Sequence, residues 1–102
     1  MNNSFERIYE VVKKIPEGKV MTYKQVIILA NVATPRVVGF ALHVNPDPED
    51  IPCHRVVFAD GSLTPGYAFG GEDIQRERLQ KEGVMFTPKG KVNLEASLLS
   101  TN

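Results

Sequence analysis

TYKQVIILANVATPRVVGFALHVNP, residues 22–46, contains two helix starts and two helix stops. Thr22 stands three residues before Gln25, the spacing of a capping box. In that motif the hydroxyl accepts from the Gln25 N–H and the Gln25 side chain reaches back to Thr22. A short helix is therefore predicted from Tyr23 to about Ala30, followed by a tight connection, Asn31-Val32-Ala33. Thr34 is a second N-cap, with Pro35 at the first helical position, where a missing N–H leaves nothing unpaired. This helix is predicted to run to about Val44 and to stop at Asn45-Pro46-Asp47-Pro48. Two short capped helices across a tight connection predict a helix-turn-helix. Such pairs serve DNA binding in some domains and only packing in others, so the pattern leaves both uses open.

Upstream, Phe5, Ile8, Tyr9, Val12 and Ile15 recur at helical spacing. They predict an amphipathic helix from Phe5 to Ile15, capped by Ser4 and closed by the turn Pro16-Glu17-Gly18-Lys19. Downstream, Ile51 to Phe58 reads as a short strand, followed by the turn Ala59-Asp60-Gly61-Ser62 and a Gly-rich loop, Pro65 to Gly71. A further helix is predicted from about Glu72 to Glu82, with Gly83 as its C-terminal cap. Val84 to Thr87 and Lys91 to Leu94 flank Pro88-Lys89-Gly90 as a hairpin, or wing, and the last eight residues are expected to fray. The predicted architecture is one mainly α, winged-helix-like helix-turn-helix domain over 1–102, with a small β hairpin.

The chain has 102 residues, 42% hydrophobic and 24% charged, which suits one compact globular domain. The N-terminus lacks the basic start and apolar core of a signal peptide, and no apolar run approaches membrane-spanning length. A lone cysteine builds no disulfide framework, which makes a reducing cytoplasm the expected location. One Cys and two His, with Cys53 and His54 adjacent, fit no usual zinc spacing, so no metal and no cofactor is expected. A monomer without membrane association is expected. Net charge is zero, so any case for nucleic acid rests on local features.

The chemistry centres on Pro52-Cys53-His54-Arg55. Only a few per cent of an ordinary cysteine is thiolate at neutral pH, so a nucleophilic role requires a base. His54 is adjacent, but neighbours in an extended strand point to opposite faces, and contact would need a bend or a bridging water. The plainer reading makes Cys53 a small core residue and His54 a surface one. Glu82 adds a second hint. A carboxylate in the last turn opposes the helix macrodipole, which Arg78 and Lys81 suit and Glu82 does not. Such a placement fits a role elsewhere, such as orienting His54, and equally fits the exposed glutamates common at helix ends.

Ile-Pro-Cys-His-Arg-Val-Val (51–57), Asn45-Pro46 and Arg36-Val37-Val38-Gly39-Phe40-Ala41 closely resemble the C-terminal domain of O6-alkylguanine-DNA alkyltransferases. Ile15-Pro16-Glu17-Gly18-Lys19-Val20 and Thr22-Tyr23 match the family's segment before the helix-turn-helix, and the resemblance covers about residues 5 to 83. It implies a partner, double-stranded DNA containing O6-alkylguanine, and an irreversible transfer of the alkyl group to Cys53. His54, through a water and backed by Glu82, would deprotonate the thiol. Tyr23 would press on the target phosphate and protonate the guanine, Arg36 would fill the space left by the flipped base, and Asn45 would brace the loop. Thr22, Gly39 and Ala41 would meet the DNA, the last two as small residues permitting close approach. Pro52, Tyr67 and Phe69 would wall the base pocket, although Tyr67 and Phe69 also read as core anchors.

Some features depart from that pattern. Nothing in these 102 residues resembles the family's usual N-terminal domain, and size and tail resemble the alkyltransferase-like proteins, which bind alkylated DNA without repairing it and recruit other repair proteins. Those carry tryptophan where this chain has Cys53. Asp47, Glu49 and Asp50 place three acids near the expected DNA face, where they would weaken phosphate attraction.

Overall fold

In the computed structural model, which describes residues 3–100, the chain is mostly helical. The first helix, α1, spans Ser4–Lys13 and buries Ile8 and Val12. Its cap is Asn3 and not Ser4, because the Asn3 side chain accepts from the Glu6 N–H at 2.8 Å. It also ends two residues early. Ile15, still buried, bonds back to Val12 in a tighter turn ahead of Pro16, which has no N–H to offer.

The helix-turn-helix is formed by α2 (Tyr23–Ala30) and α3 (Pro35–His43), whose axes bend by 99° across the connection. The Thr22 capping box is complete, with Gln25 N–H to Thr22 Oγ1 at 3.2 Å and Thr22 N–H to Gln25 Oε1 at 2.9 Å. Asn31 ends α2 in the left-handed region, φ 54°, which Asn tolerates better than most residues. Replacing Thr22 by Ala should cost about 1 kcal/mol of stability, read as an earlier denaturation midpoint at unchanged slope. No single helix among the described residues is long and apolar enough to cross a membrane.

The expected strand at 51–58 is mostly not extended. Cys53–Arg55 form one 3₁₀ turn, and only Val56–Val57 (β2) pair, parallel to Met21–Thr22 (β1), with Met21 opposite Val56. A parallel pair needs a crossover, which α2 and α3 supply. This two-rung ladder fixes the start of the helix-turn-helix beside the Cys53 turn.

Farther on, α4 spans Gly71–Lys81, and Gly83 follows at φ 88°. The wing is reduced to a single antiparallel bridge, Phe86 to Val92, around a turn in which Thr87 N–H donates to Lys91 O at 2.7 Å. Leu94, expected in a strand, instead begins the short helix α5 (Leu94–Ser97) under an Asn93 cap. The tail does not fray over residues 95–99. Val20 N–H donates to Ser97 O at 2.9 Å, Leu99 N–H to Val20 O at 2.8 Å, and Gln25 Nε2 to Leu99 O at 3.1 Å. Residues 101–102 lie outside the described residues. One apolar cluster joins α1, α2 and α3 with Ile51, Cys53 and Tyr67; a second packs Leu79 of α4 against Val57, Leu63, Val84 and Val92.

Candidate active site and nucleic-acid interface

Cys53 is buried in its 3₁₀ turn and opens onto a cleft of about 80 Å³. Tyr23 of α2, Gly39, Leu42 and His43 of α3, and Thr64, Gly66, Tyr67 and Ala68 of the following loop complete its lining. The turn removes the difficulty of two neighbours facing opposite ways. While Cys53 meets the cleft, His54 extends behind it and is 2% exposed, so the surface reading of His54 is wrong. His54 Nε2 lies 2.9 Å from Glu82 Oε2. Because that carboxylate accepts, Nε2 carries the proton, and the lone pair resides on Nδ1. Nδ1 is buried and has no hydrogen-bond partner among the described residues.

Glu82 caps α4 and faces more than His54. Arg55 donates to it from Nε at 2.9 Å and Nη2 at 2.6 Å, while Arg55 Nη1 reaches Ile15 O at 2.8 Å. Burial works against the Glu82 carboxylate, but Arg55 and His54 outweigh it and hold its pKa below the ordinary value. For His54, burial lowers the pKa; Glu82 opposes this, while Arg78 and Arg55 add to it. The imidazole is therefore neutral at pH 7, as a base must be. Both groups have folded pKa values below their unfolded ones, so the unfolded chain binds more protons in acid. Stability should fall as pH drops below about 6.5, first through His54 and then through Glu82, in a pH series of thermal midpoints.

The thiol is not ionised by its surroundings. Burial pushes the Cys53 pKa up, and the Asn45 side chain, the Arg78 charge and the Tyr67 hydroxyl offset only part of the rise. In the resting protein Cys53 is a thiol. Asn45 is buried and holds the preceding loop at both ends, donating to Ile51 O at 2.8 Å and accepting from the Asp47 N–H at 2.9 Å. Tyr23 pairs its hydroxyl with Thr64 Oγ1 at 3.0 Å and packs on Phe58, with centroids 5.0 Å apart. Burial raises the Tyr23 pKa, so it keeps its proton at neutral pH.

On α3, Arg36 is exposed in the first turn, and Gly39 lies at the cleft with open space where a Cβ would be. Ala41 is fully buried, and its carbonyl accepts from the Tyr9 hydroxyl at 2.7 Å, so it cannot meet DNA. Thr22 is 7% exposed with its hydroxyl committed to Gln25, which makes it a cap and not a surface contact. Pro52 is buried away from the cleft lining. Phe69 likewise leaves the lining and packs edge-on against Tyr67, with centroids 5.7 Å apart. The acids near this face are partly engaged: Asp50 with Lys13 and Glu49 with Arg78, each at 3.5 Å.

Residues 3–84 match the family model described as the DNA-binding domain of 6-O-methylguanine DNA methyltransferase. The methylated-DNA–protein-cysteine methyltransferase of Saccharolobus islandicus is 46% identical over 77 residues, 76% of this chain and 48% of that protein. The chain spans less than half the length of the curated relatives it matches. Among solved structures, S. pombe Atl1 in complex with damaged DNA containing O6-carboxymethylguanine superposes with a TM-score of 0.79 at 30% identity. That match covers 99% of this chain and 100% of Atl1. Mycobacterium tuberculosis OGT in complex with DNA gives 0.73 at 32% identity, over 81% of this chain and 50% of that one.

Proposed function

This chain belongs to the family defined by the DNA-binding domain of 6-O-methylguanine DNA methyltransferase, and from that we propose that it repairs DNA, taking an alkyl group from O6-alkylguanine onto Cys53. One observation carries the reading: Cys53 in the lining of a cleft beside α3, with the neutral, Glu82-anchored His54 next to it in the chain. The sulfur is buried, so the damaged base must leave the stack to reach it, which costs a few kcal/mol. Arg36 on the first turn of α3 fills the gap in the duplex and offsets part of that cost. Once the base is seated, the thiol proton passes through a bridging water to His54 Nδ1. Sulfur bonds to the alkyl carbon while the carbon–O6 bond breaks, its electron pair passing to guanine. Tyr23 supplies a proton to the departing base and recovers one from His54. No step regenerates the thiol, so the protein acts once.

The substrate test is nucleoside analysis of an O6-methylguanine duplex after incubation with excess protein. Restored guanine, equal to the protein consumed when protein is limiting, supports transfer. Persisting O6-methylguanine in a tightly bound complex supports the second reading, a non-catalytic sensor that marks the lesion for other repair proteins. The end-to-end likeness to Atl1 in complex with damaged DNA favours that alternative. Cys53 favours transfer.

Both readings require Arg36. Arg36→Ala should lower the preference for damaged over intact duplex by about tenfold, because the flipped state loses its filler. The salt dependence should change by at most about one unit of slope. Undiminished discrimination in a fluorescence titration would rule out the intercalating role.

A further inference from the structure

Arg78 occupies the last turn of α4, where a cation suits the helix macrodipole and so draws no notice in the sequence. In the fold it is aimed inward. Its Nη1 donates to the Tyr67 hydroxyl oxygen at 3.1 Å, and its Nη2 lies 3.5 Å from Glu49, a residue 87% exposed. Tyr67 is itself 8% exposed and lines the cleft with Cys53. With Arg78 donating to its oxygen, the phenol has its O–H free to donate, and Cys53 shares both the cleft lining and the buried cluster with it. We propose that Arg78 and Tyr67 form a second activating arm for Cys53, distinct from the His54–Glu82 pair, in which Arg78 fixes Tyr67 as a hydrogen-bond donor to Sγ.

His54 alone does not complete the activation. Taking a proton from a buried thiol leaves negative charge on sulfur in a poorly solvated turn, and something must stabilise that charge until the alkyl carbon is attacked. A charge-assisted donor does so more strongly than a neutral one. Burial raises the Tyr67 pKa, and the charge on Cys53 raises it further, so the phenol stays protonated and remains a donor. Other titratable groups near the thiol are Tyr9 and Tyr23, which burial keeps protonated, and His43 at the cleft. Arg78 is the cation whose field favours the thiolate. Glu49, on the acidic loop, holds the outer side of Arg78 and tempers that field. Arg78 is thus a positioning residue, acting through Tyr67.

This arm serves the transfer reaction proposed above, yet its effect on the thiol can be measured without DNA. The sole cysteine is labelled with iodoacetamide from neutral to mildly alkaline pH, and intact mass gives the rate at Cys53. Tyr67→Phe, which keeps the buried ring, should slow labelling about tenfold at neutral pH and displace the pH profile upward by about one unit. Arg78→Met should do the same, Arg78→Lys should recover part of the loss, and the double variant should lose less than the product of the singles. Loosened packing would instead expose Cys53 and speed labelling, the opposite sign. If Arg78→Met does not fold, Tyr67→Phe decides alone. Unchanged or faster labelling in folded Tyr67→Phe overturns the proposal. Failure of the parent protein to take a methyl group from DNA would count against alkyl transfer and leave these rates where they are.

Discussion

Replacing Cys53 with Ala should abolish alkyl transfer completely while leaving recognition of damaged duplex nearly intact. The nucleophile is a single sulfur atom, and no second cysteine exists to replace it. On the proposed reading, recognition depends on other groups: Arg36 on α3, Tyr23 against Thr64, and the Gly39 and Tyr67 walls of the cleft. Arg36 and the Tyr23–Thr64 pair do not depend on the thiol, and the Tyr67 ring stays packed against Phe69 and held by Arg78 without it. Titration of Cys53→Ala with O6-methylguanine duplex should give a dissociation constant close to the parent's, with no restored guanine however long the incubation. Loss of binding together with transfer would mean that Cys53 is a structural member of the core and that the cleft does not form without it.

Glu82→Gln should have the second-largest effect, and it should act on both folding and transfer. As an isolated helix-end acid, Glu82 reads as mildly unfavourable, and its removal should cost no stability. The structure reverses that expectation, because Glu82 accepts from His54 and twice from Arg55, with its side chain only 14% exposed. The amide is isosteric but uncharged, which leaves the Arg55 guanidinium, itself 15% exposed, without a counter-charge. The loss should be about 2 kcal/mol, less than for a fully buried pair because water still reaches both groups. Transfer, measured well below the melting temperature, should slow on the order of a hundredfold, since His54 loses the anion that fixes its tautomer and stabilises its protonated form. Equal stability with slow transfer would assign Glu82 to His54 alone. Reduced stability with normal transfer would make it a strut for Arg55.

The helix-turn-helix was legible because its signals are local. Thr22 with Gln25 and Thr34 with Pro35 each specify a helix start within four residues, and Asn45-Pro46 specifies a stop. What distance along the chain brings together was not legible. The pairing of Met21–Thr22 with Val56–Val57 involves two residues on each strand, too few to show any alternation. Arg55 and Arg78 look like ordinary surface cations until α4 is folded against the Cys53 turn. Docking of the tail depends on Ser97 and Leu99 reaching the Val20 backbone, an interaction that no side-chain pattern announces. Ala41 is a different kind of error. It lies three residues after the buried Val38, on the core stripe of α3, and helical spacing separates it from exposed Arg36 and Phe40.

The thiol shows the same limit in its chemistry. Residue types left Cys53 and His54 readable as core and surface residues; the family resemblance implied nucleophile and base, and only the fold shows burial holding the resting sulfur protonated. Substrate entry then has a physical task, to bring the reacting carbon to a sulfur whose proton His54 is placed to take. The most direct test of the account is the intact mass of the protein after incubation with an O6-methylguanine duplex, with the modified peptide located by fragmentation. A gain of one methyl group per protein, on Cys53, with no turnover, is the expected result. Tight binding of that duplex with Cys53 unmodified would contradict it.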